Sequence, residues 1–144
     1  MDKLFLIAEI AGTAVAIYSE NIESVVAVGE IVSVPRADPV IAGLFALRSR
    51  VLTLVDCQYR VTGVQKAFEK GGLAVIVSIG GHNFGLMVDR VRDVVSVPVS
   101  ALTPAVRLEP RWAALANMLV EIDDQLMMVV DPESLVSVDS RLAA

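Results

Sequence analysis

Residues Ile41 to Asp56 read IAGLFALRSRVLTLVD. Two apolar runs, GLFAL and VLTLV, flank Arg48-Ser49-Arg50, and the second run stops at Asp56. Short aliphatic runs around a polar break are hairpin chemistry, so the arginine tripeptide is predicted to be a turn between two strands. A related pattern returns later as NMLVEIDDQLMMVVD, Asn117 to Asp131. At an offset of 75, Leu44 meets Leu119, Leu47 meets Ile122 and Val51 meets Leu126. Leu54-Val55-Asp56 meets Val129-Val130-Asp131, and Asp123-Asp124 stands where the arginine turn does.

The repeat extends upstream. At an offset of 69 without gaps, Gly12 meets Gly81, Val15 meets Phe84, Ile17 meets Leu86 and Ile22 meets Val91. Val25-Val26 meets Val94-Val95, Leu6-Ile7 meets Val75-Ile76, and Ile10 meets Ile79. Each unit therefore reads strand, turn, strand, short connector, strand, long loop, hairpin, aspartate. Two like units of five short strands predict an all-β chain of two small barrels, since closing a sheet removes its exposed edges. The expected halves are 12–66 and 67–131. The N-terminal strand 4–10 and a C-terminal helix over 132–142 are expected to pack between or against them.

Local signals agree. LFLIAEI and TAVAIY surround Ala11-Gly12, and LAVIVSI and FGLMVD surround a predicted GGHN turn at Gly80 to Asn83. Glu23 to Val28 and Arg92 to Val97 are further strand candidates that run toward Pro35 and Pro98, where a proline cannot donate to a ladder. Asp56 and Asp131 each follow a strand and suit a helix N-cap, and Asp131-Pro132-Glu133 adds proline at N1 and an acid in the first turn. Gln65 to Gly72 reads as a polar connector. Arg111 to Ala116 fits a helical turn or an irregular loop equally.

Composition bounds the function. The 144 residues suit one domain, with 55% apolar and only 5% aromatic residues. A net charge of −5 disfavours a general nucleic-acid binder, which needs clustered cations. The single Cys57 excludes an internal disulfide and fits a reducing compartment. Glu9 interrupts the first apolar run, which therefore does not read as a leader. The longest charge-free run, Gly71 to Val88, has 18 residues, but its glycines, His82 and Asn83 mark two strands around a turn rather than a membrane span. A cytoplasmic location without membrane insertion is expected.

Catalytic chemistry finds little purchase. His82 is the only histidine, and a predicted turn exposes it. With Cys57 distant in sequence no transition-metal set forms, and the DCQYR context gives that thiol no activating partner. Glu121, Asp123 and Asp124 read more simply as a solubilising hairpin tip than as an acid/base pair. The glycine pairs lack the following helix that a phosphate site requires. The expectation is therefore a binding module, with no catalytic residue, cofactor or metal. At its centre two readings stay open for Arg48 and Arg50. They keep an apolar hairpin soluble, or they anchor a partner by bidentate pairing beside exposed aliphatics.

The run VPRADPVIAGLFALRSRVLTLVD, Val34 to Asp56, resembles the signature of CheW-like domains. Pro35, Pro39, Ile41, Gly43, Leu47, Arg48, Val51 and Asp56 keep its pattern. Ile22-Glu23-Ser24-Val25 upstream and Gly85, Val88, Asp89 and Val91 downstream are similar to further family segments, as is LMMVVDPESLV. The resemblance spans Leu4 to about Val138. It implies two SH3-like five-stranded barrels sharing a hydrophobic core, with short helices including a C-terminal one, and no enzymatic activity. Proteins of this kind are adaptors that bridge the cytoplasmic tips of methyl-accepting chemotaxis receptors to the regulatory domain of the histidine kinase CheA. Adaptors of this fold in type IV pilus or gliding motility, and a barrel module without signalling partners, are the alternatives.

The resemblance places the receptor- or kinase-binding surface at Ile22, Ser24, Gly43, Leu44, Leu47, Arg48 and Val51. In that reading aliphatic side chains accept a helical ridge, Arg48 is the polar anchor, and Gly43 supports the backbone. Three positions depart from the family pattern. Ser24 replaces an acid, Ala46 an asparagine, and Ser49 the glycine of Asn-Leu-Arg-Gly. Losing that glycine predicts a different turn conformation, because serine is strained at positive φ. Losing the acid and the asparagine predicts weaker or redirected partner binding.

Overall fold

The computed structural model describes residues 1–105 and 107–136. Four two-residue turns organise it. Ala11-Gly12 joins β1 (Asp2–Ile10) to β2 (Thr13–Tyr18), and Arg48-Ser49 joins β4 (Ile41–Leu47) to β5 (Arg50–Asp56). Gly80-Gly81 joins β6 (Leu73–Ile79) to β7 (His82–Val88), and Asp123-Asp124 joins β10 (Ala116–Ile122) to β11 (Gln125–Val130). All eight turn residues have positive φ, from 50° to 82°. Positive φ at both central positions belongs to the type I′ turn, whose twist matches that of the strands it links. The predicted GGHN turn is thus Gly80-Gly81 alone. His82 and Asn83 already pair with Ile79 and Ser78 in the ladder.

β3 (Ile22–Ala27) and β8 (Arg90–Pro98) fill the remaining predicted strands, and β9 (Leu102–Pro104) is a short addition. The Arg111 region resolves as a helical turn, α2 (Pro110–Ala113), leading into β10. The aspartates cap as expected. Asp56 accepts from the Tyr59 N–H at 3.0 Å and opens α1 (Cys57–Thr62), which Gly63 closes in a left-handed conformation. Asp131 accepts from the Glu133 N–H at 3.0 Å and opens α3 (Pro132–Val136). The rest of the helix expected over 132–142 lies outside the described residues.

One sheet runs β8-β1-β2-β11-β10-β9 and the other β3-β6-β7-β5-β4. Each curls into an SH3-like barrel. Neither follows the expected division at 66/67. The hairpin β1–β2 lies among strands of the second half, and β6–β7 lies among strands of the first. The joints β2–β11 and β5–β7 are parallel, whereas the other pairings are antiparallel. The physical reason is that both hairpins are apolar on both faces, so each belongs in the middle of a sheet. In β1–β2, Phe5, Ile7 and Ala16 fill one barrel, while Leu6, Ala8, Ile10, Val15 and Ile17 join a core shared between barrels. In β6–β7, Ala74, Ile76 and Met87 fill the other barrel, while Val75, Val77, Phe84, Leu86 and Val88 face the shared core.

Candidate functional site

The predicted surface lies on the barrel built from β3, β6, β7, β5 and β4, and register decides which side each residue takes. On the β4–β5 hairpin Ala46 stands opposite Val51 and Leu44 opposite Thr53. These four share the outer face, where Val51 is 71% exposed and Leu44 half-buried. Phe45, Leu52 and Leu54 point into the barrel, and Leu47 packs against them. Leu47 therefore sits at the barrel mouth, on the opposite side of the hairpin from Leu44 and Val51.

Gly43 is a backbone-support position. A Cβ there would lie 2.8 Å from the Val32 carbonyl oxygen. Val32 passes that close because it pairs with Leu44, donating at 2.8 Å and accepting at 2.9 Å. This single bridge closes the barrel where the other barrel uses the three residues of β9 on β10.

Ile22 and Ser24 lie on β3, half-buried and alternating with exposed Glu23 and Val25. Ile22 packs against the shared core, and Ser24 pairs with Ile76. What joins β3 to the arginine turn is an ion pair that the sequence did not reveal. Arg50 Nη2 reaches Glu23 Oε2 at 3.3 Å, 27 residues away. That separation carries no local signal. Glu23, not position 24, thus supplies the carboxylate on β3 that faces the hairpin. Arg50 is engaged, while exposed Arg48 at the tip has no carboxylate partner among the described residues. The two arginines left equivalent by the sequence are different in space.

The matching tip on the other barrel has the opposite charge. Asp123-Asp124 takes the same turn, and Leu126, at the position of Val51, is 62% exposed. Each tip thus offers an exposed aliphatic residue beside charge, cationic on one barrel and anionic on the other.

Between the barrels, Asp89 acts as a strut. Its Oδ2 accepts from the Gly12 N–H at 3.0 Å and its Oδ1 from Lys66 Nζ at 2.8 Å. Partial burial pushes the carboxyl upward, but the hydrogen bonds from Lys66 and Gly12 outweigh it and hold the group below the usual aspartate range. Asp56 is 2% exposed, and its second oxygen accepts from the Lys66 N–H at 2.8 Å, so it ties the connector down as well as capping α1. Cys57 is fully buried, and burial pushes its thiol far above the ordinary range, with Asp56 adding to the effect. A protonated, enclosed thiol is no nucleophile.

Architecture and surface together define two SH3-like barrels around a shared core, with an arginine-tipped hairpin fixed to a neighbouring strand. The CheW-like domain model matches residues 4–140, and the chain belongs to that family. Among curated proteins, the chemotaxis protein CheW of Thermotoga maritima is 23% identical over 128 residues, covering 89% of this chain and 83% of the relative. Among solved structures, the scaffolding protein TtCheW from Thermoanaerobacter tengcongensis superposes with a TM-score of 0.83 at 22% identity. That match covers 96% of this chain and 95% of the other.

Proposed function

We propose that this chain is a non-enzymatic adaptor. It couples the cytoplasmic tips of methyl-accepting chemotaxis receptors to the regulatory domain of a CheA-type histidine kinase, in arrays beneath the inner membrane. Family membership and the names of its relatives support the pathway. The observation that carries the site is Arg48. It is exposed and without a carboxylate partner among the described residues, while its neighbour Arg50 holds the hairpin to β3. A cation on a braced hairpin loses less side-chain and loop entropy on binding than one on a free loop.

The receptor side is read as helix-in-groove recognition. Leu44 and Val51 supply the outer apolar face, Ile22 and Ser24 the adjoining strand, and Leu47 the barrel mouth. Gly43 contributes by letting Val32 pass. The opposite charge of the second tip argues for a different partner contact there, since one acidic surface cannot satisfy both.

Titration with a receptor cytoplasmic fragment tests this assignment. Arg48→Ala is expected to weaken binding by about 2 kcal/mol, as truncation of an interface anchor does, with the thermal midpoint unchanged. Unaltered affinity would leave Arg48 only a solubilising role.

A further inference from the structure

Ala46 stands among three larger aliphatic side chains on the outer face of the β4–β5 hairpin. It pairs with exposed Val51, and Leu44 lies two residues back on its own strand. Val32, 69% exposed, pairs with Leu44 from the far side and so shares that face. Leu44 gives both of its backbone groups to Val32, so its rung with Thr53 carries no ladder hydrogen bonds. Rungs of an antiparallel pair alternate. Ala46–Val51 is therefore of the same kind, with Cα atoms only about 4.5 Å apart. A methyl group this close to larger neighbours leaves a hollow one side chain deep.

Ala46, Val51, Leu44 and Thr53 put no charge on this face. Arg50 belongs to the opposite side of the hairpin, where it reaches Glu23, and Arg48 stands in the turn. The matched face of the other barrel differs at its centre and its rim. Glu121 takes the place of Ala46 beside Leu126, and Thr103 that of Val32 beside Leu119. An apolar side chain arriving there would strip water from a carboxylate, whereas at Ala46 it meets aliphatic surface.

We propose that Ala46 selects the partner of this hairpin. Its hollow receives one large aliphatic side chain from a partner helix, and the cationic turn beside it calls for an acid on the same helix. Glu121 turns that helix away from the second tip, a built-in penalty against the wrong site. The inference deepens the receptor assignment above and rests on it.

Calorimetric titration with a receptor cytoplasmic tip fragment from the same cell tests it, using Ala46→Ser, Ala46→Leu and Ala46→Glu. Ala46 is exposed, so all three should keep the native thermal midpoint to within a few degrees. Ala46→Ser preserves the hollow and should bind within about twofold of the native chain. Ala46→Leu fills the hollow and Ala46→Glu copies the second tip, so each should bind about tenfold more weakly. In the fragment, cutting the inserted aliphatic residue to alanine should weaken binding to the native chain and restore binding to Ala46→Leu, as residues in direct contact do. Affinity kept or raised in Ala46→Leu would mean an apolar face without a hollow, and overturns the proposal. So does an alanine scan of the fragment that finds no such compensating position. A native chain that binds no receptor fragment overturns the receptor assignment itself, and the proposal with it.

Discussion

Serine 49 occupies a conformation that glycine takes at no steric cost. Its φ is +69°, and Arg48 beside it is at +50°. The sequence led to a changed turn, because the family glycine is missing. The turn closes in two residues with left-handed φ at both positions, as the type I′ geometry between Leu47 and Arg50 requires, and the serine bears the strain. Ser49→Gly is therefore expected to raise stability, by about 0.5–1 kcal/mol, with receptor affinity unaltered. Urea denaturation of the two proteins checks it, and a variant no more stable than the native chain would contradict the strain. At this scale the sequence was informative about roles that depend on neighbours along the chain. Asp56 and Asp131 were legible as caps because the helix they open follows at once. The difference between Arg48 and Arg50 was not, because the acid that distinguishes them is on another strand.

Elements are held in place here by a few charges between otherwise apolar strands. The pair Glu23–Arg50 is more than two-fifths exposed on each side, so its stability contribution is small. Its effect is to hold β3 against the β4–β5 tip. Asp89 links the β1–β2 turn of one barrel to Lys66 of the other, and it is the better-enclosed of the two ties, with side chains 25% and 33% exposed. Its carboxyl is held below the unfolded range, near 4. The stabilisation is thus fully present above that range and disappears as the pH falls through the lower folded value. The stability difference between the native chain and Asp89→Asn should be constant from neutral pH to about pH 5 and shrink below about pH 4. Thermal melts across that window measure it, and a gap that persists or grows in acid would remove Asp89 as a strut. Strand existence was legible from alternating Val and Ile runs with glycine breaks. The ends of β3 and β8 moved by one or two residues because bulges, such as that between Ile22 and Ser24, leave no mark in hydrophobic pattern.

The whole molecule is two barrels that exchange their opening hairpins. The repeat announced two units and the aspartate that ends each, but not the exchange. Pattern along the chain fixes which residues are apolar on both faces, while the partner of a doubly buried hairpin is settled only by packing. The consequence is that neither 1–66 nor 67–144 holds a complete sheet. Each fragment alone should lack a cooperative unfolding transition, and mixing them should restore one. A fragment that unfolds cooperatively by itself, followed by circular dichroism, would contradict the exchanged topology. The same arrangement gives the molecule polarity, with a cationic tip on one barrel and an anionic tip on the other, which is what the proposed coupling of two partners calls for. The most direct test of the adaptor role is calorimetric titration with the regulatory domain of a CheA-type kinase from the same cell. The account predicts micromolar or tighter binding, weakened by substitutions on one barrel and indifferent to those on the opposite flank. No heat at high concentration, from a chain shown to be folded, would contradict it.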